Sequence, residues 1–321
     1  MPVAPDKEQA LVDSLTKPRG WLISEVELSL VLKVGKLEIS TLSTIWSPRY
    51  ECNSKSLLFT HTKPRKEKTM TRNVDFAIDR HIGVKGKPAF IFIHCDAGAR
   101  QQFASAYEHL RAAGCSVVSF DRRGHGQSSK PRDGKFGYVV ESGDAFVVAD
   151  LTGIDRFVLI GHSGGGDVAF KAANERPDRI AGLFLVDPAP DPDVLPSGQK
   201  KATLEGLRRD YKRFIGEYYR SIAGPDPAIA DLIVATAQAT RPETVIGINE
   251  QLDSFRPKDY AGKYKGPAHA VIQPEYDVDG ALHRIQPEMT HEGIGGAGHW
   301  IHMAAADRLE AALDRFVARL P

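Results

Sequence analysis

The sequence predicts an α/β fold in which a mostly parallel sheet carries helices on both faces and one helical insertion. From about residue 72 onward, apolar stretches of strand length alternate with helical stretches. Such alternation is typical of βαβ units and therefore of a parallel sheet. The run AFIFIH (89–94) is apolar up to its final histidine, as expected of a strand buried on both faces. At 321 residues, the chain can form one large domain with an insertion or an appendage.

The predicted elements follow one another in a regular order. VDFAID (74–79) alternates polar and apolar residues, which favours a half-buried strand. Further strands are predicted at AFIFIH (89–94), SVVSFD (116–121), RFVLIG (156–161), GLFLVD (182–187) and HAVIQ (269–273). Helices are predicted at 101–113, in a segment ending near Leu151, in one ending at about Asn174, and at 303–319.

Residues 190–262 interrupt this alternation. The segments around 199–221, 227–239 and 242–254 have the pattern of amphipathic helices. Open α/β sheets bind ligands outside the carboxyl ends of their strands, so the insertion is predicted to be a cap over that edge. The alternative is a helical insertion that has no role at this edge of the sheet. The predicted core then comprises residues 70–189 and 263–321.

Residues 1–69 stand outside this pattern. They include strand-like stretches and the basic segment TKPRKEKT (62–69), but no candidate catalytic residue. We interpret them as an N-terminal extension, either poorly ordered or preceding a translation start at Met70. A role as an interaction segment is the alternative.

Composition narrows the classes of partner. Lys and Arg (42) nearly balance Asp and Glu (41), which gives a net charge of +1. The sequence thus has no basic excess of the kind found in nucleic-acid-binding proteins. A small-molecule partner is therefore expected. The three cysteines lack the spacing of a disulfide framework or a zinc site. No apolar run approaches the roughly 18–20 residues of a membrane span, and the N-terminus has no signal-peptide pattern. A cytoplasmic protein without a metal is predicted.

The stretch GHSGG (161–165) fits the pattern G-x-S-x-G directly after a strand. A strand that turns into a helix through its nucleophile forces that residue into an unfavourable backbone conformation. Glycines two positions away on either side let the chains pass closely, which exposes the hydroxyl. Ser163 is therefore predicted to be a nucleophile. The N–H of Gly164, at a helix N-terminus, is predicted to face developing negative charge.

A serine nucleophile requires a base, and the base requires an orienting acid. The segment GGAGHWIHMAAAD offers His299 and His302. We favour His299, because it follows a glycine-rich bend and begins the last helix, whereas His302 is nearly one turn further on.

The acid is predicted at the end of the preceding strand, HAVIQ. There PEYDVDG supplies Asp277, which a bend at Pro274 would turn toward the histidine. The alternatives are Asp279, Glu275 and Asp187. Asp187 is the last residue of GLFLVD (182–187), and we interpret it as a turn residue before Pro188.

Taken together, these segments resemble the α/β-hydrolase superfamily. AFIFIHCDAGA, SFDRRGHGQSS, FVLIGHSGGG, AVIQPEYD and GAGHW occur in the order and spacing of its esterase and lipase branch with a helical cap, over about residues 72–320. The resemblance implies an eight-stranded, mostly parallel sheet, a triad of Ser163, Asp277 and His299, and no metal or organic cofactor. A serine at this position argues against haloalkane dehalogenases and epoxide hydrolases, which need a carboxylate there.

One position departs from the family pattern. Where the family usually has His-Gly after the strand, this chain has His94-Cys95-Asp96. Alignment makes the Asp96 N–H the second oxyanion donor, with Cys95 less favoured. A carboxylate would oppose an oxyanion, so the Asp96 side chain should turn toward the cap or an internal cation, or else contact substrate. The predicted substrate-binding residues are His94, Cys95, His162 and Trp300.

The predicted reaction is hydrolysis of a small carboxylic ester or lactone through an acyl-enzyme. Alternatives on the same scaffold are a carbon–carbon bond hydrolase and a cofactor-independent oxygenase or perhydrolase. An alternative of another class is a receptor-like binding protein with slow turnover. The sequence does not predict an oligomeric state.

Overall fold

The computed structural model describes residues 73–321, which contain a seven-stranded, mostly parallel sheet. The strands are β1 (Ile78–His81), β2 (Ala89–Ile93), β3 (Ser116–Phe120), β4 (Phe157–His162), β5 (Ile180–Val186), β6 (Ala268–Ile272) and β7 (Thr290–Gly293). The fold class is confirmed, with seven strands in this part of the chain where the family resemblance implied eight. The predictions for residues 1–69 lie outside the described residues.

The strand order is β1-β3-β2-β4-β5-β6-β7. Strand β1 is antiparallel to β3, and all other pairs are parallel. The chain runs outward from β2 to β3 and then crosses back to β4 on the other side of β2. The loops after β2 and β4 therefore leave the sheet in opposite directions, and such a switch point opens the crevice in which α/β sheets bind ligands.

Helices cover both faces of the sheet. They are α1 (Ala104–Ala112), α2 (Tyr138–Thr152), α3 (Gly164–Glu175), α4 (Gln199–Arg209), α5 (Tyr211–Ile222), α6 (Pro227–Ala239), α7 (Pro242–Glu250), α8 (Leu282–Ile285), α9 (Ile301–Ala304) and α10 (Ala306–Val317). Along β2, Ile91 and Ile93 pack into one core with residues of α2 and α3. Phe90 and Phe92 pack into another with residues of α1 and α10. The apolar pattern of β2 is thus that of a strand buried on both faces, as predicted.

The four helices α4–α7 lie between β5 and β6. Local signals mark their starts: the Asp226 carboxylate accepts the N–H groups of Ala228 (2.9 Å) and Ile229 (3.2 Å) ahead of α6, and Pro227 occupies its first position. Their apolar sides form a third core together with Cys95 and Trp300. The insertion is therefore packed against the loop that follows β2.

The end of α5 meets the loop before α9 backbone to backbone. The N–H of His299 donates to the carbonyl of Ile222 at 2.8 Å. Gly298 has a φ of 70°, and a Cβ there would lie 2.4 Å from the Ala223 carbonyl oxygen. This contact requires glycine at position 298 for both its conformation and its size.

None of the helices between residues 73 and 321 combines the length and the apolar character needed to cross a membrane.

Candidate functional site

Ser163 lies at the sharp turn between β4 and α3. Its backbone has φ 52° and ψ −129°, a conformation that is costly for a residue with a side chain. The turn is held by the bond from the Ser163 N–H to the Val186 carbonyl (3.1 Å) and by the Gly166 N–H, which donates to the Ser163 carbonyl (2.7 Å). The strain leaves Ser163 partly exposed, while its neighbours in the turn are buried.

Both flanking glycines are required by close chain contacts. A Cβ at Gly161 would lie 2.4 Å from the Gly165 carbonyl oxygen, and a Cβ at Gly165 would lie 2.3 Å from the carbonyl oxygens of Ile93 and His94. These atoms belong to the backbone and cannot rotate away. The G-x-S-x-G spacing therefore encodes a contact between the elbow and β2.

Replacement of Gly165 by Ala should destabilise the fold by about 1–3 kcal/mol, the usual cost of overpacking a dense core. Gly143 is a matched control, since nothing lies within 4 Å of a Cβ there and it is exposed within α2. Gly143→Ala should raise stability by about 0.5–1 kcal/mol. Urea unfolding of both variants measures the two changes, and equal effects would contradict the contact.

His299 lies just before α9, and its Nδ1 is 2.6 Å from Asp187 Oδ2. The residue is 8% exposed. His302, the alternative base, is buried and stacks on Phe103 at 4.6 Å, and burial lowers its pKa to about 3. Of the two predicted histidines, the structure pairs His299 with an acid.

That acid is Asp187, the first residue after β5. Its carboxylate also accepts the backbone N–H of Gln273 (2.9 Å) and the side-chain Nε2 of Gln273 (3.1 Å). Its φ is 43°, and its N–H donates to the Val271 carbonyl at 2.7 Å. A fully buried carboxylate with three hydrogen bonds is well satisfied and fixed toward His299.

Asp277, the acid preferred from the sequence, is placed elsewhere, and the carboxylate that the structure pairs with His299 is that of Asp187. A 3₁₀ turn at Pro274–Tyr276 precedes Asp277. Its carboxylate accepts from Arg284 Nε (2.7 Å) and contacts His283 Nε2 (2.9 Å). The Arg284 hydrogen bond, followed by that of His283, lowers the pKa of Asp277 to about 2. The alternatives Glu275 and Asp279 are exposed.

The loop after β2 is held by two histidines. His94 Nδ1 lies 2.8 Å from the Cys95 carbonyl, which it can reach only as a donor, and its Nε2 accepts the Arg122 N–H at 2.9 Å. The Ala97 N–H donates to His125 Nε2 at 3.2 Å. Burial lowers the pKa values of both rings, so they serve as neutral braces for the segment that carries Asp96.

The Asp96 side chain turns to an internal cation. Its Oδ1 accepts from Arg122 Nη1 at 2.7 Å, and its Oδ2 accepts the Tyr138 hydroxyl at 2.6 Å. A Cβ at Gly164 would lie 2.7 Å from both oxygens. The carboxylate thus lies against the elbow, with Arg122 and Tyr138 taking up its charge.

Arg122 is 1% exposed and also bonds Glu141 at 2.8 Å. Burial would lower the pKa of its guanidinium, but the charges of Glu141 and Asp96 outweigh burial and raise it. Arg122 therefore stays charged and holds two carboxylates beside the elbow.

The site opens into a cavity of about 200 Å³. The core contributes Asp96, Tyr138, Ser163, Asp167 and His299 to its wall. The insertion contributes mainly apolar and aromatic residues, among them Leu207, Phe214, Ile215, Tyr218, Tyr219, Ile222, Val245 and Leu252. Ser163 and His299 thus face one space that is covered by the insertion helices.

The four residues predicted to bind substrate are not among those that line the cavity, and their contact with substrate stays a prediction. Burial raises the pKa of the Cys95 thiol to about 12. His162 Nε2 donates to the His299 carbonyl at 2.9 Å. Trp300 is fully buried, with its ring 5.2 Å from that of Tyr219. Together with His94, these residues support the loops that present the site.

Asp167 is a buried acid of the cavity wall that sequence reasoning missed. It is 1% exposed, and neither carboxyl oxygen has a hydrogen-bond partner among residues 73–321. Burial, and then repulsion from Asp96, raise its pKa well above the ordinary value. The signal in the sequence was an acid one helical turn after Ser163 in a run of small and apolar residues.

One group of side chains has the composition of a metal site. Ligand atoms of Asp277, His283 and His291 lie within 4.8 Å of one another. The guanidinium of Arg284 bonds the Asp277 carboxylate and offsets the negative charge of that carboxylate. These residues lie outside the cavity wall.

Comparisons with known proteins agree with the fold. Residues 88–221 match the α/β hydrolase fold family. The chain is 25% identical to an sn-1-specific diacylglycerol lipase of Xenopus laevis over 293 residues, which is 85% of this chain and 93% of that protein. A thermophilic esterase from Thermogutta terrifontis is similar in structure, with a TM-score of 0.66, 23% identity, and coverage of 76% of this chain and 93% of that one. For a bromoperoxidase from Bacillus anthracis the TM-score is 0.69 at 18% identity, over 76% of this chain and 96% of that one. The described residues therefore have the α/β-hydrolase fold, and residues 88–221 carry the similarity to its family.

Proposed function

We propose that the protein is a serine hydrolase that cleaves a carboxylic ester or lactone through an acyl-enzyme. The observation that carries this proposal is the pair of His299 and Asp187, joined at 2.6 Å, facing the same cavity as the strained Ser163. A hydroxyl on such a turn, with an oriented imidazole across the cavity, fits nucleophilic acyl transfer.

In the proposed reaction, Ser163 Oγ attacks the carbonyl carbon while His299 Nε2 takes its proton. Asp187 holds the other ring nitrogen, which fixes the tautomer and stabilises the imidazolium. The tetrahedral intermediate collapses when His299 returns the proton to the leaving alkoxide. Water then attacks the acyl-enzyme by the same steps and regenerates Ser163.

Two backbone N–H groups would receive the oxyanion. Gly164 is the first residue of α3, and N–H groups in the first turn of a helix have no intrahelical acceptor. Asp96 is the second donor, and its N–H has no backbone acceptor among the described residues. Because Arg122 and Tyr138 hold the Asp96 carboxylate, its charge would oppose the oxyanion less than a free carboxylate would.

The insertion is the proposed cap over this site, with bounds near residues 190–262 and the hydrolase core on either side. Its apolar residues in the cavity wall favour a substrate with a hydrocarbon part. The Xenopus relative is named a diacylglycerol lipase, which also supports an ester substrate with a hydrocarbon part. A lactone, as an internal ester, would follow the same steps.

The proposal is tested by labelling with a fluorophosphonate probe and by turnover of p-nitrophenyl butyrate. We expect the probe to attach to Ser163, as read by mass spectrometry of the tryptic peptide, together with continuous release of p-nitrophenol. Labelling without continuous release would instead favour a receptor-like protein with slow turnover. Turnover without labelling at Ser163 would contradict the proposed nucleophile.

A further inference from the structure

Near the cavity, one guanidinium bonds two carboxylates, and a third carboxyl group has no partner among residues 73–321. Asp96 and Glu141 both bond Arg122. Asp167 is buried at the cavity wall, and both its carboxyl oxygens lack a hydrogen-bond partner among the described residues. Burial of an unpaired acid costs free energy, so Asp167 would be stabilised by a hydrogen-bond donor that residues 73–321 do not supply.

A second cation, Lys200, does not supply the missing charge. Lys200 lines the cavity, but its ammonium group bonds the carboxylate of Asp253. His299 is engaged by Asp187. Even with Asp167 protonated, the group of Arg122, Asp96 and Glu141 carries one more negative than positive charge when both of its carboxylates are ionised. The inner end of the cavity thus favours a cation.

The same cavity is lined by the aromatic residues Tyr138, Phe214, Tyr218 and Tyr219. Aromatic faces attract ammonium groups through their quadrupole, more strongly where water is excluded. Aromatic walls beside one unpaired carboxyl group are therefore suited to an alkylammonium ion.

We propose that the cavity takes a substrate bearing a protonated primary amine, held by Asp167 with Asp96 beside it. The three N–H donors of a primary ammonium match the free acceptor oxygens of Asp167, and its alkyl chain matches the apolar wall. This inference deepens the proposed function by naming the chemical class of the ester. Asp167 would select the substrate without taking part in bond cleavage.

Binding is measured first, because it does not depend on catalysis. Calorimetric titration compares n-hexylammonium with 1-hexanol, which has the same chain length and no charge. For the native protein we expect the ammonium to bind about tenfold tighter or more, and for Asp167→Asn we expect that advantage to be lost, as for a charge-assisted hydrogen bond. Asp178→Asn, which removes an exposed acid, should behave as the native protein does.

Hydrolysis then separates this inference from the proposed function. The p-nitrophenyl esters of 6-aminohexanoate and heptanoate differ only in an ammonium in place of a methyl group. We expect kcat/KM to favour the amino ester about tenfold in the native protein, and the ratio to fall toward one in Asp167→Asn and in Asp167→Ala. If neither ester is cleaved, the proposed function fails while the titration still decides this inference.

The inference is overturned if n-hexylammonium binds no tighter than 1-hexanol, or if Asp167→Asn and Asp167→Ala leave the preference intact. Serine-dependent cleavage of the heptanoate ester with no ammonium preference would overturn this inference alone. Folding is checked by thermal unfolding. Both variants should be at least as stable as the native chain, because they remove an unsatisfied buried acid.

Discussion

Ser163→Ala should lower kcat for p-nitrophenyl butyrate by about three to six powers of ten. The loss follows because the acyl-enzyme cannot form, while the N–H donors and the cavity remain. Thermal unfolding should change little, since alanine keeps the backbone and removes one partly exposed hydroxyl. Steady-state hydrolysis and fluorophosphonate labelling measure the effect.

Ser105→Ala is the matched control, because it removes an exposed serine hydroxyl on α1 that bonds Glu310. It should retain native kcat. Ester hydrolysis by Ser163→Ala within tenfold of the native rate would exclude the proposed mechanism.

Asp187→Asn should lower kcat by about four powers of ten, the size of effect seen when a triad acid becomes an amide and the histidine takes the wrong tautomer. Asp277→Asn should keep kcat within about twofold, as for other surface substitutions. The reason is geometric: Asp187 bonds His299 Nδ1, whereas Asp277 bonds His283 and Arg284.

The two asparagine variants form their own control, since each removes one carboxylate at the end of a strand. Circular dichroism and thermal unfolding should verify that Asp187→Asn is folded. A large loss in Asp277→Asn with little loss in Asp187→Asn would restore the acid preferred from the sequence.

The elbow was predictable because its determinants are local. Ser163 and its glycines lie within five consecutive residues, and the close contact with β2 follows from that spacing alone. The strands β2 to β6 were equally predictable. A strand buried on both faces is a continuous apolar run, whereas a short helix with one exposed side would include polar residues. Strand β7 (Thr290–Gly293) was not predicted. Its residues are mostly exposed at the sheet edge, so its sequence carries no apolar pattern.

The carboxylate that pairs with His299 could not be chosen from the sequence, because an acid follows each of two strands at the same edge of the sheet. Asp187 follows β5 directly, and the 3₁₀ turn after β6 precedes Asp277. Which carboxylate reaches His299 depends on the direction of each turn. The positive φ of Asp187 and its bonds to Gln273 are long-range features that a local pattern does not contain.

Substrate contacts were the least predictable part of the site. The predicted oxyanion segment lies in the loop after β2, and its histidine and cysteine face inward to brace that loop. Asp167 was not predicted, because helical spacing alone does not show whether a side chain packs against another helix or lines a cavity.

The contact between α5 and the loop before α9 limits how the site can open. Lifting α5 away from the sheet would break the bond between the His299 N–H and the Ile222 carbonyl and separate the Tyr219 hydroxyl from the Asp96 carbonyl. In the proposed mechanism, His299 and the segment of Asp96 would lose these supports in the same movement. If α5 moved to admit substrate, the proposed catalytic groups would be reassembled only on its return, so opening of the cavity and chemistry would be coupled through a single helix.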